Sequence, residues 1–296
     1  MSLPVKPIHL PDTVNYVAVF LTLECNLRCP SCINRFDLLV PESRRLTGEE
    51  WIEALNRIVC RADLPVTLQG GEPTLHPDFF RIVNGVDRAT PMDLLTNLQF
   101  DLAPFMGEVR PERLRRDAPY ASIRVSYHPE VMELETLVER VLVLQRAGYS
   151  IGIWGVLHPA REGEMAAARE YCAARGVDFR TKEFLGEHNG TVHGTFRYRG
   201  ACDRKGAEHV QCRTSELIIG PDGAVYRCHS DLYAGMAPVG NILDPDFRFE
   251  DRFRPCHRFG YCNPCDVKVK TDRFQSFGHT SVEILPPGAC SLKRTE

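Results

Sequence analysis

LECNLRCPSC, residues 23–32, places three cysteines within eight positions in the spacing C-x3-C-x2-C. It follows the apolar, β-branched run YVAVFLTL (16–23), so the thiols stand where a strand passes into a loop. Thiols this close belong to a disulfide, a zinc site or an iron–sulfur site. Structural zinc takes four ligands, usually as two pairs, and neither Cys nor His occurs between Cys32 and Cys60. A bacterial ferredoxin run has a different spacing, C-x2-C-x2-C-x3-C-P. Three thiolates around a cubane ligate three irons and leave the fourth open, and an open coordination position marks a site that binds a reactant. The stretch 1–21 reads as neither signal peptide nor spanning helix, which implies the cytoplasm. Cytosolic thiols stay reduced, so twelve cysteines point to metal or catalysis before disulfides.

Downstream, the pattern of apolar run, turn and amphipathic stretch repeats to about Gly186. Five more runs read as strands: PVTLQ (65–69), MDLLTN (92–97), SIRVSY (122–127), SIGIWGVL (150–157) and VDFRTKEFL (177–185). Helices fall between them, among them 47–62 with a Thr47/Glu50 capping box, 131–148 ending at Gly148 and 163–176 ending at Gly176. Cys60 and Cys172 sit inside these helices as small hydrophobes. Six βα units imply an α/β fold with a parallel sheet, short of the eight that close a full barrel, hence an open, partial (βα)6 TIM-like barrel over 1–199. Chemistry in such folds sits at the carboxyl ends of the strands, where the cysteine loop and a second string, QGGEP (69–73), both fall.

With GGEP after the second strand, the C-x3-C-x2-C chain resembles the radical S-adenosylmethionine enzymes over about 17–186. The resemblance implies that Cys25, Cys29 and Cys32 hold a [4Fe–4S] cluster whose open iron chelates the amino and carboxylate groups of S-adenosylmethionine. It implies that Gly70, Gly71, Glu72 and Pro73 meet the methionine amino group, chiefly through backbone, and that Asn97 and Ser126 contact the cofactor. One position departs from the pattern: the residue before the last cysteine is usually aromatic or large, and here it is Ser31, so the adenine must find its apolar support elsewhere.

From about residue 200 to 296 the composition shifts to Gly, Pro, Asp and Cys, which reads as a small, cysteine-rich α+β domain. SELIIGPDGAVYRC (215–228) is a hairpin around Pro-Asp-Gly. Cys212 and Cys228 bracket it, Gly223 lies between them, and Cys262 and Cys265 follow. This resembles the auxiliary-cluster extension called twitch, the shorter relative of SPASM, and implies an auxiliary [4Fe–4S] cluster on Cys212, Cys228, Cys262 and Cys265. Cys202, Cys256 and Cys290 are left over. Spacing alone equally suits a zinc ribbon; the position behind a radical barrel reverses that preference.

Strand alternation turns Arg124, Ser126, His128, Gly152, Trp154, Val156, His158, Arg180 and Lys182 into the barrel, and Ile151, Ile153 and Leu157 toward the helices. His158 and Lys182, near the carboxyl ends of their strands, are the expected substrate residues. The competing reading of the histidines is structural, because His-Pro recurs at 76–77, 128–129 and 158–159 where helices start. RPERLRR (110–116) reads as a solvated helix face, and the Arg/aromatic run 247–262 as local packing around cysteines. A net charge of −3 gives no general reason to bind nucleic acid or membrane. The expected activity is reductive cleavage of S-adenosylmethionine to a 5′-deoxyadenosyl radical that abstracts a substrate hydrogen. It would oxidise or rearrange a small polar molecule, with electrons from a flavodoxin or ferredoxin. The alternatives are modification of a ribosomally made peptide and, in another class, a non-catalytic zinc protein.

Overall fold

A computed structural model describes residues 6–34, 44–206, 209–268 and 282–285. Each of the six apolar runs forms a strand: β1 (Tyr16–Thr22), β2 (Val66–Gly70), β3 (Met92–Thr96), β4 (Ile123–Tyr127), β5 (Ile151–Leu157) and β6 (Phe179–Glu183). They pair in parallel in that order. The crossovers are helical: α1 (Gly48–Asn56), α2 (Phe79–Gly85), α3 (Leu102–Glu108), α4 (Leu134–Arg146) and α5 (Glu162–Ala173). One face of the strands carries Val17, Val19, Leu68, Leu94, Val125 and Ile153, which pack with Trp51, Leu55, Ile82 and Val141 of the helices into the main core. The alternate set, Ala18, Phe20, Asp93, Arg124 and Trp154, is buried but lies outside that core, as period-two alternation requires.

Four expectations change within the barrel. The sixth unit has no helix: β6 runs into a hairpin of β7 (Gly186–His188) and β8 (Thr191–His193). The helix expected over 47–62 keeps its capping box but stops at Asn56; Ile58–Val59 instead pairs with Ile8–His9, which leaves Cys60 beyond the helix, whereas Cys172 is buried in α5. Leu157, expected against the helices, is exposed at the end of β5.

The fourth is 110–116, where Arg110, Glu112 and Arg115 are exposed but Leu114 is buried and Arg113 and Arg116 are half-buried. Its helix is one 3-10 turn, Pro111–Leu114, and Arg113 donates to the carbonyls of Val83 and Thr90. Arg116 donates to both oxygens of Asp93 at 2.7 and 3.0 Å, and Arg124 Nη2 adds a third contact at 3.1 Å. The Asp93 side chain is wholly buried. Without it, two guanidinium groups lie desolvated with no carboxylate between them, so Asp93→Leu should cost about 3–5 kcal/mol. A urea midpoint within error of the parent would refute that value.

The later strands are β9 (Val210–Thr214), β10 (Glu216–Ile219), β11 (Ala224–Tyr226), β12 (Gly240–Asn241), β13 (Arg254–Cys256) and β14 (Val282–Leu285), with short helices α6 (His229–Tyr233) and α7 (Pro264–Val267). The hairpin expected at 215–228 forms as β10 and β11, and Gly223 in its turn has φ +78°. The expected break at 199/200 does not interrupt the sheet. β10 lies parallel against β1, Glu216 opposite Tyr16 and Ile219 opposite Val19, giving one nine-stranded sheet ordered β12-β11-β10-β1-β2-β3-β4-β5-β6. Leu217 and Ile219 enter the main core, and their burial is what draws the hairpin onto the barrel edge. A separate three-stranded sheet, β13-β9-β14, carries two of the cysteines.

Candidate active site

The Cys25–Cys32 loop leaves the carboxyl end of β1, and GGEP leaves the carboxyl end of β2 beside it. The two are tied by backbone: Gly71 N–H donates to Thr22 O at 2.9 Å and Glu72 N–H to Glu24 O at 2.8 Å. A Cβ at Gly70 would stand 2.1 Å from Thr22 O, and one at Gly71 2.1 Å from Glu24 O. The glycines are therefore required first by the contact between the two loops, before any ligand is considered. Glu72 is fully buried. Its Oε1 accepts from Thr74 and Thr96 hydroxyls and its Oε2 from Asn97 N–H, so its carboxylate fastens β2 to the end of β3. Burial raises its pKa against those hydrogen bonds. Pro73 opens the 3-10 turn Pro73–Leu75.

Asn97 closes the loop from the other side, its Nδ2 donating to Asn26 Oδ1 at 2.7 Å with Cys25 Sγ at 3.8 Å. Cys25 is exposed, Cys29 and Cys32 are half-buried, and the described cysteines form no disulfide. Burial, joined by Cys32 and Cys25, raises the thiol of Cys29 to about 12. Thiols close enough to oppose one another's ionisation suit a cationic metal centre that reverses that opposition. Ser126 faces the same barrel interior from β4, next to Trp154 of β5.

The histidines divide. His76 is buried; Nδ1 accepts from Asp78 N–H at 3.1 Å, so the proton sits on Nε2, 2.9 Å from Leu46 O. His158 Nδ1 likewise accepts from Ala160 N–H at 3.2 Å as a helix cap. Both rings thus cap a backbone N–H, and the His158 ring also meets Phe184 and His188 at 4.5 and 4.6 Å between centroids. Lys182 is exposed on β6 and lies within electrostatic reach of His128. His188 and His193, on the β7–β8 hairpin, were not anticipated, because a two-strand excursion carries no helical or motif signal.

Burial lowers the His76 pKa. A depressed folded-state pKa contributes stability that is present above the unfolded value near 6.5 and lost as pH falls through the folded one. Unfolding midpoints should therefore fall between pH 7.5 and pH 5, and His76→Gln should show a smaller fall. An equal fall in both would remove His76 from the cause.

No family model matches the chain. Among curated proteins, GTP 3′,8-cyclase of Brucella canis is 25% identical over 193 residues, 59% of this chain and 54% of that protein. Molybdenum cofactor biosynthesis protein 1 of Mus musculus is 33% identical over 87 residues, 28% of this chain and 14% of that one. The chain thus spans about half the length of the cyclase it matches. Two solved structures share the fold. Native anSMEcpe with bound AdoMet and Kp18Cys peptide has a TM-score of 0.53 at 16% identity, covering 81% of this chain and 78% of that one. Streptococcus suis SuiB bound to precursor peptide SuiA has 0.52 at 13% identity, covering 81% and 63%. These likenesses support the radical S-adenosylmethionine superfamily. The Cys25–Cys29–Cys32 loop, braced by GGEP and Asn97, is the part of this barrel whose donors fit a [4Fe–4S] cluster and S-adenosylmethionine.

The second cysteine group gathers differently from its expected membership. Cys212, Cys228, Cys256 and Cys262 line one cavity of about 20 Å³ together with Arg227 and Arg258. Cys256 stands in place of Cys265. β13 pairs with β9 so that Cys212 faces Arg254 and Val210 faces Cys256, which makes Cys256 a diagonal neighbour of Cys212 on the same face. Cys265 enters the first turn of α7, half-buried and absent from that lining. The hydrogen bond between Cys212 and Cys256 raises the first thiol and lowers the second, and Arg227 works against the burial that raises Cys262 to about 12. Such a donor set, thiols with arginine around them, suits a metal centre of four thiolates. Cys202 is half-buried nearby, and Cys290 lies outside the described residues.

Next to Cys228, His229 opens α6. Its Nδ1 is 3.1 Å from Glu216 Oε2 and 3.3 Å from Asp266 Oδ1, all three residues buried. Burial opposes its charge, but the two carboxylates prevail and hold it at about 9. Asp266 also accepts from the N–H groups of His229 and Ser230. The ring packs against Tyr16 and Phe20 of β1, so this cluster binds the cysteine-rich segment to the barrel. Alternation along β10 would have turned Glu216 inward, but only once β10 was known to lie beside β1.

Proposed function

We propose that this chain cleaves S-adenosylmethionine reductively and uses the resulting radical to abstract hydrogen from a substrate. The observation that carries the reading is the cysteine loop locked to GGEP at the carboxyl ends of adjacent strands. Cys25, Cys29 and Cys32 would hold a [4Fe–4S] cluster there, which would supply the electron for cleavage of the sulfonium to a 5′-deoxyadenosyl radical. The chain's own share is positional: Asn97 and Glu72 fix the loop, and Ser126 borders the cofactor from β4. A one-electron donor such as flavodoxin or ferredoxin feeds the site. Residues 200–296 act as a twitch-type extension with an auxiliary [4Fe–4S] cluster on Cys212, Cys228, Cys256 and Cys262. Four thiolates leave no open iron, so its task is to accept an electron, and the favoured outcome is oxidation or rearrangement of a small polar molecule.

Substrate is met at the mouth of the barrel, where His158 and Lys182 stand with His128 and Arg161. The likeness to GTP 3′,8-cyclase, whose name describes a small-molecule reaction, supports that reading. A peptide substrate is the second reading, supported by two structural neighbours solved with peptides. The reconstituted protein, incubated anaerobically with dithionite and S-adenosylmethionine, should yield 5′-deoxyadenosine and methionine. Intact cofactor after prolonged incubation of iron-replete protein overturns the reading. Once a substrate is found, His158→Ala and Lys182→Ala should depress product more than uncoupled cleavage; equal loss of both would assign them to the cofactor or the fold.

A further inference from the structure

We propose that Glu130 recognises the nucleoside end of S-adenosylmethionine, its carboxylate accepting a hydrogen bond from the adenine amino group. This rests on the radical reading and adds a specificity residue to it. Glu130 follows β4, three residues past its end, and its charge is felt at Cys29. Ser31, between the second and third cysteines, donates its hydroxyl to Glu130 Oε1 at 3.2 Å. Arg161 Nε stands 3.6 Å from the same oxygen. The other oxygen, Oε2, is buried and has no hydrogen-bond partner among the described residues.

An ionised carboxylate only accepts, so Oε2 calls for an N–H or O–H donor. A buried acceptor left unmatched is costly, which marks the position as built for a donor brought by a ligand. The ligand nearest the cysteine loop is the cofactor. Its amino group goes to the open iron and GGEP in the assignment above, which leaves the ribose hydroxyls and the adenine amine. Ser31 occupies the position from which a large side chain would support the adenine. A serine offers no such surface; here it hands its hydroxyl to a carboxylate, so the departure in the motif and the orphan oxygen have one explanation. Polar recognition of the amine replaces apolar support of the ring, and Arg161 keeps the carboxylate in place.

Equilibrium binding without reductant tests this apart from turnover. The probes are S-adenosylhomocysteine, its counterpart lacking the 6-amino group and its 2′-deoxy counterpart, on cluster-reconstituted protein. The parent should bind the amino compound about tenfold more tightly than the 6-deamino one, the scale of a hydrogen bond to a charged acceptor. Glu130→Ala, with iron content unchanged, should bind those two equally. Ser31→Ala should narrow the ratio, and it carries the test alone if Glu130→Ala loses iron. No preference in the parent, or an unchanged ratio in both variants, overturns the proposal. So does a loss confined to discrimination against the 2′-deoxy compound, which would move the contact to the ribose. Failure of iron-replete parent to bind any of the three overturns the radical reading itself.

Discussion

Replacing Cys25, Cys29 and Cys32 together with alanine brings 5′-deoxyadenosine formation under dithionite to the protein-free background. The expectation follows from the geometry of the loop. Its three thiols are grouped at the carboxyl end of β1, Glu24 of the same loop pairs with Arg45, and the buried Glu72 has both oxygens engaged by Thr74, Thr96 and Asn97. The fold should survive, because the loop is held by backbone bonds from Gly71 and Glu72 and by Asn97 on Asn26, none of which uses a cysteine sulfur. The measurement is chromatographic quantitation of 5′-deoxyadenosine beside the parent, with circular dichroism to show folding. Undiminished cleavage by the triple variant would sink the assignment of the site.

Cys256→Ala removes the auxiliary cluster, and Cys265→Ala leaves it. With two clusters of equal iron content, iron and sulfide should fall by about half in the first variant and stay at the parental level in the second. The reason is placement: Cys256 shares a strand face and a cavity with Cys212, Cys228 and Cys262, whereas Cys265 lies in α7 outside that lining. Cys228→Ala should match Cys256→Ala, since its thiol is buried in the same cavity. Iron lost from the Cys265 variant and kept by the Cys256 variant would restore the set suggested by the Cys262–Cys265 spacing.

What the sequence by itself determined is what short-range chemistry encodes. Period-two alternation in runs such as SIRVSY and SIGIWGVL specifies strands and their faces, because each side chain's direction depends only on its neighbours. C-x3-C-x2-C and GGEP are legible because a loop of that length must bring its own thiols together, and because glycine is demanded wherever two backbones approach as Gly71 and Glu24 do. Tertiary structure alone decided the rest. The pairing of β10 with β1 joins residues some two hundred positions apart through the burial of Leu217 and Ile219, and nothing local to SELII announces it. The same holds for Arg116 and Arg124 meeting on Asp93, where a basic run that looks solvated in sequence is folded under the barrel. Cys256 lies beside Cys212 for the same reason: β-strand register, set by contacts across forty residues and more, puts both on the face that lines the cavity, and no local spacing announces it.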